Sequence, residues 1–221
     1  MKRMLLMAGL VAATLVIPAQ ASRASWVSVN CYINNVDDSH VRRLDAKAYA
    51  QVAIGEGYEW GGGCWNDNNR DDTPGQPDSS GEGPDCSGFV FKSWELRSTY
   101  GTSGFRWWNK FQNIHGPYSS SSYHSPVPSE PFYKLPNKLS TTTIYMDAFA
   151  KDGHVAMLYS ESGSSLGLDY MIEARGDAYG TNVWAEDYRS DSDYIALRRE
   201  GWTPDCWPHC QSQPSRVISL P

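Results

Sequence analysis

The stretch Asp85-Cys86-Ser87-Gly88-Phe89-Val90 constrains the fold of this chain more than any other. Its cysteine sits between turn residues and the start of an apolar run, which predicts a helix from about Cys86 to near Gly101. A cysteine in the first turn of a helix feels unpaired backbone N–H groups and the positive end of the helix dipole. Both favour the thiolate, which is the nucleophilic form, and the same N–H groups can hold an oxyanion. Cys86 is therefore a candidate nucleophile, with a buried structural cysteine as the alternative.

A cysteine nucleophile needs a base, and His154 is the best placed of the five histidines. It opens a strand-like run after Gly153, where a rigid element could fix its ring against Cys86. Glu173 is charged within an otherwise apolar strand pattern, so a carboxylate there needs a partner. Because a third polar group commonly orients the base, Glu173 is a candidate for that role beside His154. A solvent-facing edge residue is the alternative for Glu173.

The N-terminus has the pattern of a secretory signal peptide, which we expect to be cut after Ala21. A basic start precedes an apolar run and a small-x-small site, and a retained anchor is the alternative. The mature protein would be secreted, periplasmic or associated with the cell wall. Losing Lys2 and Arg3 leaves 17 of the 19 basic residues against 25 acidic ones, a net charge of −8. Such a chain offers no phosphate-binding surface, so we expect no nucleic-acid partner.

The chain contains five cysteines, an odd number for an oxidising compartment. Four can pair and one remains, either as an intermolecular link or as a free reactive thiol. We expect Cys31–Cys64 and Cys206–Cys210 disulfides, which leave Cys86 free.

The order of elements predicts an α+β fold with N-terminal helices packed on an antiparallel β-sheet. Asp38 or Ser39 can cap a first helix that ends near Gly55 or Gly57. The apolar positions expected to face the core of the two helices are Val41, Leu44, Ala48 and Val52, then Phe89, Val90, Trp94 and Leu96. Strands are predicted at 142–149, 154–160, 168–174 and 194–198. The predicted organisation is a signal peptide at 1–21, a segment at 22–38, one domain at 39–200 with an irregular insertion at 101–140, and a cysteine-containing tail at 201–221.

Three weaker patterns resemble functional motifs, but each is more typical of an ordinary turn or loop. The G-x-S-x-G string at 163–167 lies between two predicted strands, whereas a nucleophile elbow requires strand, turn and helix. An acidic loop at 66–72 begins like a calcium loop but lacks the required glycine and distal glutamate. The segment 206–210 fits no standard zinc spacing and favours a small disulfide loop. We therefore expect no metal and no other cofactor.

Together, three ordered motifs resemble the NlpC-type cell-wall cysteine peptidases, a papain-like family. They are Tyr58-Glu59-Trp60-Gly61-Gly62, the stretch around Cys86, and Gly153-His154-Val155-Ala156-Met157. The resemblance extends to the strands at 172–174 and 194–199 and covers about residues 40–200. It implies a papain-like fold with the catalytic cysteine at a helix N-terminus.

The resemblance also implies roles for individual residues. Cys86 would be the nucleophile, His154 the base and Glu173 the third residue, and the Tyr58 hydroxyl would assist substrate or oxyanion binding. The other residues assigned to substrate or oxyanion binding are Trp60, Asp85 and Ser87. Family members cut peptidoglycan stem peptides, often at D-γ-glutamyl-diamino acid bonds, so the expected partner is peptidoglycan or a peptide, and the expected state is a monomer.

The chain departs from the family pattern in four places. The third position is more often histidine, the loop from Gly63 to Asp85 is long, and 145–149 replaces the usual Pro-Gly-Asp. The insertion at 101–140 has no counterpart in the pattern. Two other functions stay open: a non-catalytic module that binds cell wall or glycopeptide through Tyr58, Trp60, Trp107 and Trp108, and an amidase toxin or effector.

Overall fold

A computed structural model describes residues 42–65, 83–96, 115–161, 167–176 and 178–204 of the 221-residue chain. These residues form three helices and eight strands, an arrangement of mixed helix and strand. The helices are α1 (Arg43–Val52), α2 (Cys86–Ser93) and α3 (Ser120–His124). The strands are β1 (Gly63–Cys64), β2 (Gly83–Pro84), β3 (Phe132–Lys134), β4 (Ala148–Lys151), β5 (His154–Glu161), β6 (Asp169–Ala174), β7 (Thr181–Glu186) and β8 (Ile195–Arg199).

Strands β3 to β8 form one antiparallel sheet in the order β3-β8-β4-β5-β6-β7, and β1 pairs with β2 separately. Successive side chains of a strand point to opposite faces, and the apolar residues divide accordingly. Val155 and Met157 of β5 pack with the helices in a large core, whereas Ala156 and Leu158 belong to a smaller apolar cluster. The sheet supports α2 and so fixes the position of Cys86. No helix among the described residues is long and apolar enough to cross a membrane.

The buried face of α1 differs from the predicted one. Leu44 is 51% exposed and Ala48 is also exposed, while the buried residues are Arg43, Ala46, Tyr49 and Ala50. The ring of Tyr49 lies 4.7 Å from that of Trp65, and burial of two aromatic rings outweighs burial of one leucine. Gly55, with φ of +97°, follows the helix as expected, and the proposed caps Asp38 and Ser39 lie outside the described residues.

Helix α2 begins at Cys86 as predicted but ends at Ser93, well before Gly101. Trp94 caps its C-terminus, and Glu95 has a φ of 46°, which takes the backbone out of the helix. The indole nitrogen of Trp94 donates to the carbonyl of Met146 at 2.8 Å. This contact fixes the end of the helix against the segment that enters β4.

Two predictions about the second half of the chain were wrong in part. The strand predicted at 142–149 begins only at Ala148, as β4, and 142–147 forms turns because the Asp147 carboxylate accepts from the backbone N–H of Ile144 at 3.0 Å. The region predicted as irregular contains α3 and β3 within 115–140. Strand β7 had no sequence prediction, whereas β5, β6 and β8 lie within a residue of the predicted bounds.

Candidate functional site

The first turn of α2 is held by Asp85, which supplies its N-cap. The Oδ1 atom of Asp85 accepts from the backbone N–H of Gly88 at 2.7 Å, which satisfies one of the unpaired groups of the first turn. Every residue of α2 is buried, and Cys86 is 7% exposed with a free thiol. The sulfur is thus attached to the rigid start of a packed helix, and its own N–H has no intrahelical acceptor.

The glycine-rich loop at 61–63 packs against the start of α2. The backbone N–H of Gly61 donates to Oδ2 of Asp85 at 3.0 Å, and the N–H of Asp85 donates to the carbonyl of Gly62 at 3.1 Å. A Cβ on Gly88 would lie 2.0 Å from that carbonyl oxygen, so the close approach requires glycine. These contacts explain physically why Gly61, Gly62 and Gly88 accompany Cys86.

His154 is positioned by a tight hairpin between β4 and β5. Lys151 pairs with His154, so Asp152 and Gly153 form a two-residue turn in which Gly153 has a φ of +89°. The N–H of Gly153 donates to the hydroxyl of Ser120 at 3.2 Å, and the hydroxyl of Ser121 donates to Asp152. Helix α3, from the serine tract, therefore fixes the turn that leads into His154.

The structure brings Cys86, His154 and Glu173 together. The Nε2 atom of His154 is hydrogen-bonded to Oε2 of Glu173 on the neighbouring strand β6, and the His154 ring also bonds to the Cys86 thiol. Since Nε2 is engaged by Glu173, Nδ1 is the atom left for Cys86. Burial lowers the pKa of His154, but the hydrogen bonds and charges of Cys86 and Glu173 outweigh it and raise that pKa to about 9. The imidazolium is therefore the main form at neutral pH.

Glu173 is fully buried and has two further donors that the sequence did not indicate. Arg175 Nη2 lies 3.0 Å from its Oε1 atom, and the hydroxyl of Tyr188 lies 3.0 Å from Oε2. The alternative of a solvent-facing edge residue is wrong for Glu173. Arg175 and Tyr188 lie in loops beside β6 and β7, where no periodicity marks them.

His115 is a second histidine at the site, and sequence reasoning placed it only in the irregular insertion. Its Nε2 atom lies 2.6 Å from the Ser87 hydroxyl and 3.1 Å from Oδ2 of Asp85, and its Nδ1 atom donates to the carbonyl of Gly116 at 2.9 Å. Burial lowers the pKa of His115, but the hydrogen bond and charge of Asp85 reverse this and leave that pKa raised. An imidazolium satisfies all these contacts, since Ser87 can then donate to Oδ1 of Asp85 at 3.1 Å.

A cleft of about 280 Å³ opens over the Cys86 sulfur. All four residues expected to contact substrate or the oxyanion line it: Tyr58, Trp60, Asp85 and Ser87. The remaining lining residues besides Cys86 are Gly61, His115, Ser119, Ser120 and Gly153. Trp60 is 83% exposed at the rim, which leaves its ring free to stack on a ligand. The carboxylate of Asp85 is instead engaged by protein donors, so it shapes the cleft rather than offering a free charge.

Several predictions fall outside the described residues. These include the signal peptide, the disulfides of Cys31, Cys206 and Cys210, the acidic loop at 66–72, Trp107 and Trp108; the side chain of Cys64 is also outside them. Within the described parts of the chain, no group of three or more histidine, cysteine or acidic residues could hold a metal ion.

In comparisons with known proteins, the chain matched no family model, no curated protein and no solved structure.

Proposed function

We propose that this chain is a cysteine peptidase or amidase of the NlpC type, with a papain-like arrangement, that hydrolyses an amide bond in peptidoglycan stem peptides. The observation that carries the proposal is the hydrogen-bonded series Cys86, His154 and Glu173, of which Cys86 lines an open cleft and Glu173 is fully buried. A free cysteine, a protonated histidine and a buried carboxylate are the parts required for acyl transfer through a thioester.

In the first step, the Cys86 sulfur attacks the carbonyl carbon of the scissile amide. A protonated His154 lies beside the sulfur, and a neighbouring cation favours the thiolate, which is the attacking form of a cysteine. Negative charge then develops on the carbonyl oxygen. The backbone N–H of Cys86 supports this oxyanion because its position at the start of α2 leaves it without an intrahelical partner. The Tyr58 hydroxyl, in the cleft wall, would be a second donor.

In the second step, the C–N bond breaks and His154 gives its proton to the departing amine, leaving a thioester on Cys86. Neutral His154 then takes a proton from water, and the resulting hydroxide attacks the thioester and releases the acid. Glu173 keeps the ring oriented through Nε2 in both steps and stabilises the imidazolium each time it forms.

The substrate class rests on the N-terminal secretory pattern and on the three motifs that resemble the family. The cleft is compatible with a peptide attached to sugar, since one wall is backbone and small side chains and the rim carries the exposed ring of Trp60. The peptide substrate would bind across Cys86, between Gly61 and Gly153, two cleft-lining residues that present no side chain.

Digestion of purified peptidoglycan tests this proposal. The mature protein should release peptide fragments whose masses identify the scissile bond, and Cys86→Ala should lose activity by several orders of magnitude because the nucleophile is removed. His154→Gln should be similarly impaired. A matched control is His124→Gln, which alters a histidine of α3 that does not line the cleft. Equal fragment release by wild type and Cys86→Ala, or none by either, would overturn peptidoglycan hydrolysis.

A non-catalytic binding module is the second candidate, favoured by the 83% exposure of Trp60 beside Tyr58. Thiol labelling separates the two functions without a substrate. If Cys86 is activated, iodoacetamide labels the folded protein at pH 6 to 7 much faster than the unfolded protein, whose thiols ionise at about 8.5. Slow labelling together with retention on peptidoglycan that Trp60→Ala abolishes would favour the binding module.

A further inference from the structure

The carboxylate of Glu173 carries more protein contacts than a group that only orients a histidine requires. Its side chain has no exposed surface and is approached by three donors: His154, Arg175 and the hydroxyl of Tyr188. Burial and the charge of Glu173 raise the pKa of Tyr188, so that hydroxyl keeps its proton and donates. A buried carboxylate between two cationic side chains can be ionised without the full cost of desolvation.

Arg175 connects this buried carboxylate to a second, more exposed one. Its Nη2 atom lies 3.0 Å from Oε1 of Glu173 and also bonds to Glu186, the last residue of β7. The guanidinium lies over the Trp184 ring at 4.6 Å from the ring centroid, which restrains its plane. The side chain of Arg175 is 25% exposed, so its charge acts on Glu173 with little screening.

Tyr188 contacts both members of the histidine–carboxylate pair. Its ring lies edge-on to the His154 ring at 6.1 Å, and it stacks on the ring of Tyr194 at 4.1 Å with an interplanar angle of 16°. Phenylalanine at 188 would keep the stacking and lose the contacts of the hydroxyl, which are the hydrogen bonds to Glu173 and Tyr194 and the long contact with Arg175 at 3.4 Å. The chain thus provides a way to test the hydroxyl separately from the ring.

We propose that Arg175 and Tyr188 are positioning residues that hold the Glu173 carboxylate directed at His154, and that the balance between Arg175 and Glu186 sets the pH at which His154 releases its proton. This inference rests on the proposed function for its catalytic meaning. The ionisable groups facing the pair from the elements around it are Cys86 of α2, Lys151 of β4, Arg175 after β6, Glu186 of β7, Tyr188 after β7 and Tyr194 before β8.

The balance predicts opposite effects from two substitutions in one ion pair. Arg175→Gln removes a cation near Glu173, so the carboxylate binds the imidazolium more strongly. The midpoint of the His154 titration, which is the pH at which half of the rings are protonated, then rises by on the order of one pH unit. Glu186→Gln leaves Arg175 paired with Glu173 alone, so the midpoint falls by a smaller amount. Tyr188→Phe should raise the midpoint slightly, and Arg175→Lys should restore most of the wild-type value because it keeps the charge.

The experiment is an NMR titration of the histidine Cε1–H signals in the full-length mature protein. Comparison with His154→Gln identifies the His154 signal among the five histidines. Arg189→Gln is the matched control, since Arg189 pairs with Asp169 at 2.7 Å on the same sheet and does not contact Glu173. It should leave the midpoint at the wild-type value. A residue that only stabilises the fold would lower the melting temperature without moving this midpoint.

Midpoints that stay unchanged in Arg175→Gln and Glu186→Gln, or that move in the same direction, overturn the inference. If Arg175→Gln does not fold, Glu186→Gln and Tyr188→Phe replace the comparison, because they too should move the His154 midpoint in opposite directions. If the wild type cuts no peptidoglycan while the midpoints still move apart, the positioning of Glu173 is upheld and only the proposed substrate is overturned.

Discussion

The Nε2 atom of His154 donates to Oε2 of Glu173, a carboxylate of β6 with no exposed surface. Strands β5 and β6 are direct neighbours, so the two side chains are brought together by ladder hydrogen bonds rather than by a loop. A site on paired strands holds its geometry more closely than one on loops. The relationship also has an electrostatic consequence, because a buried anion beside the ring stabilises its protonated form.

We expect Glu173→Gln to lower the pKa of His154 from about 9 towards its ordinary value of 6.5. The glutamine still bonds to Nε2, but the charge that raised the pKa is gone, while burial continues to lower it. NMR titration of the His154 ring measures the change. Glu161→Gln is the control, since Glu161 is 45% exposed at the far end of β5 and pairs with Arg189. A midpoint near 9 in Glu173→Gln would contradict the stated cause.

The pKa of His154 also predicts a difference between hydrolysis and alkylation. Its protonated form, which in the proposed mechanism supplies the proton for the departing amine, is the main form below about pH 9 and is lost above it. Amide hydrolysis should therefore decline as the pH rises through 9. Alkylation of Cys86 by iodoacetamide needs only the thiolate, because its iodide leaves without a proton, so its rate should not decline there. Parallel pH profiles of kcat/KM and of alkylation test this; a decline in both would contradict the acid role of His154.

Local patterns predicted which three residues lie together in the fold better than they predicted the bounds of the strands. A cysteine after a turn, a histidine after Asp152-Gly153 and a charged residue in an apolar strand are features of a few consecutive residues, and each reports its own element. His115, Arg175 and Tyr188 lie outside periodic segments, and only the folded chain brings them to Glu173 or Asp85. Their role depends on contacts between residues far apart in the sequence, which no short pattern records.

The buried face of helix α1 was predicted wrongly for a related reason. Two contacts decide which face of α1 is buried, that of Tyr49 with Trp65 and that of Arg43 with Asp147, and both partners come from other parts of the chain. Leu44 is apolar and correctly spaced, yet it lies on the exposed side. Tertiary contacts override local pattern where a large ring or a charge must find a specific partner.

Gly88→Ala should disturb the candidate site although Gly88 is none of the three proposed catalytic residues. Its new Cβ would lie 2.0 Å from the carbonyl oxygen of Gly62, and both are backbone-fixed, so the loop or the start of α2 must move. A displacement of about 1 Å at a reacting group can cost on the order of 10²-fold in rate. We expect that loss in kcat/KM and in the rate of Cys86 alkylation. Ser93→Ala, at the other end of the same buried helix, is the control and should alter neither rate. Normal alkylation in Gly88→Ala would show that the close approach is not required.

Asp147→Ala should destabilise the fold far more than loss of a surface ion pair. The carboxylate is fully buried and lies 2.8 Å from Nη1 of Arg43 and 2.6 Å from Nη2 of Arg198, so it joins α1 to β8. Its removal leaves two cations without their anion, which typically costs about 3–5 kcal/mol. Asp45→Ala is the matched control because Asp45 pairs with Arg42 at 2.6 Å near the surface, where such pairs contribute about 0–1 kcal/mol. Urea unfolding of the two variants measures both free energies. Equal free energies of unfolding of the two variants would contradict the role of Asp147. Because α1 packs on α2, loss of the Asp147 contacts should also slow alkylation of Cys86.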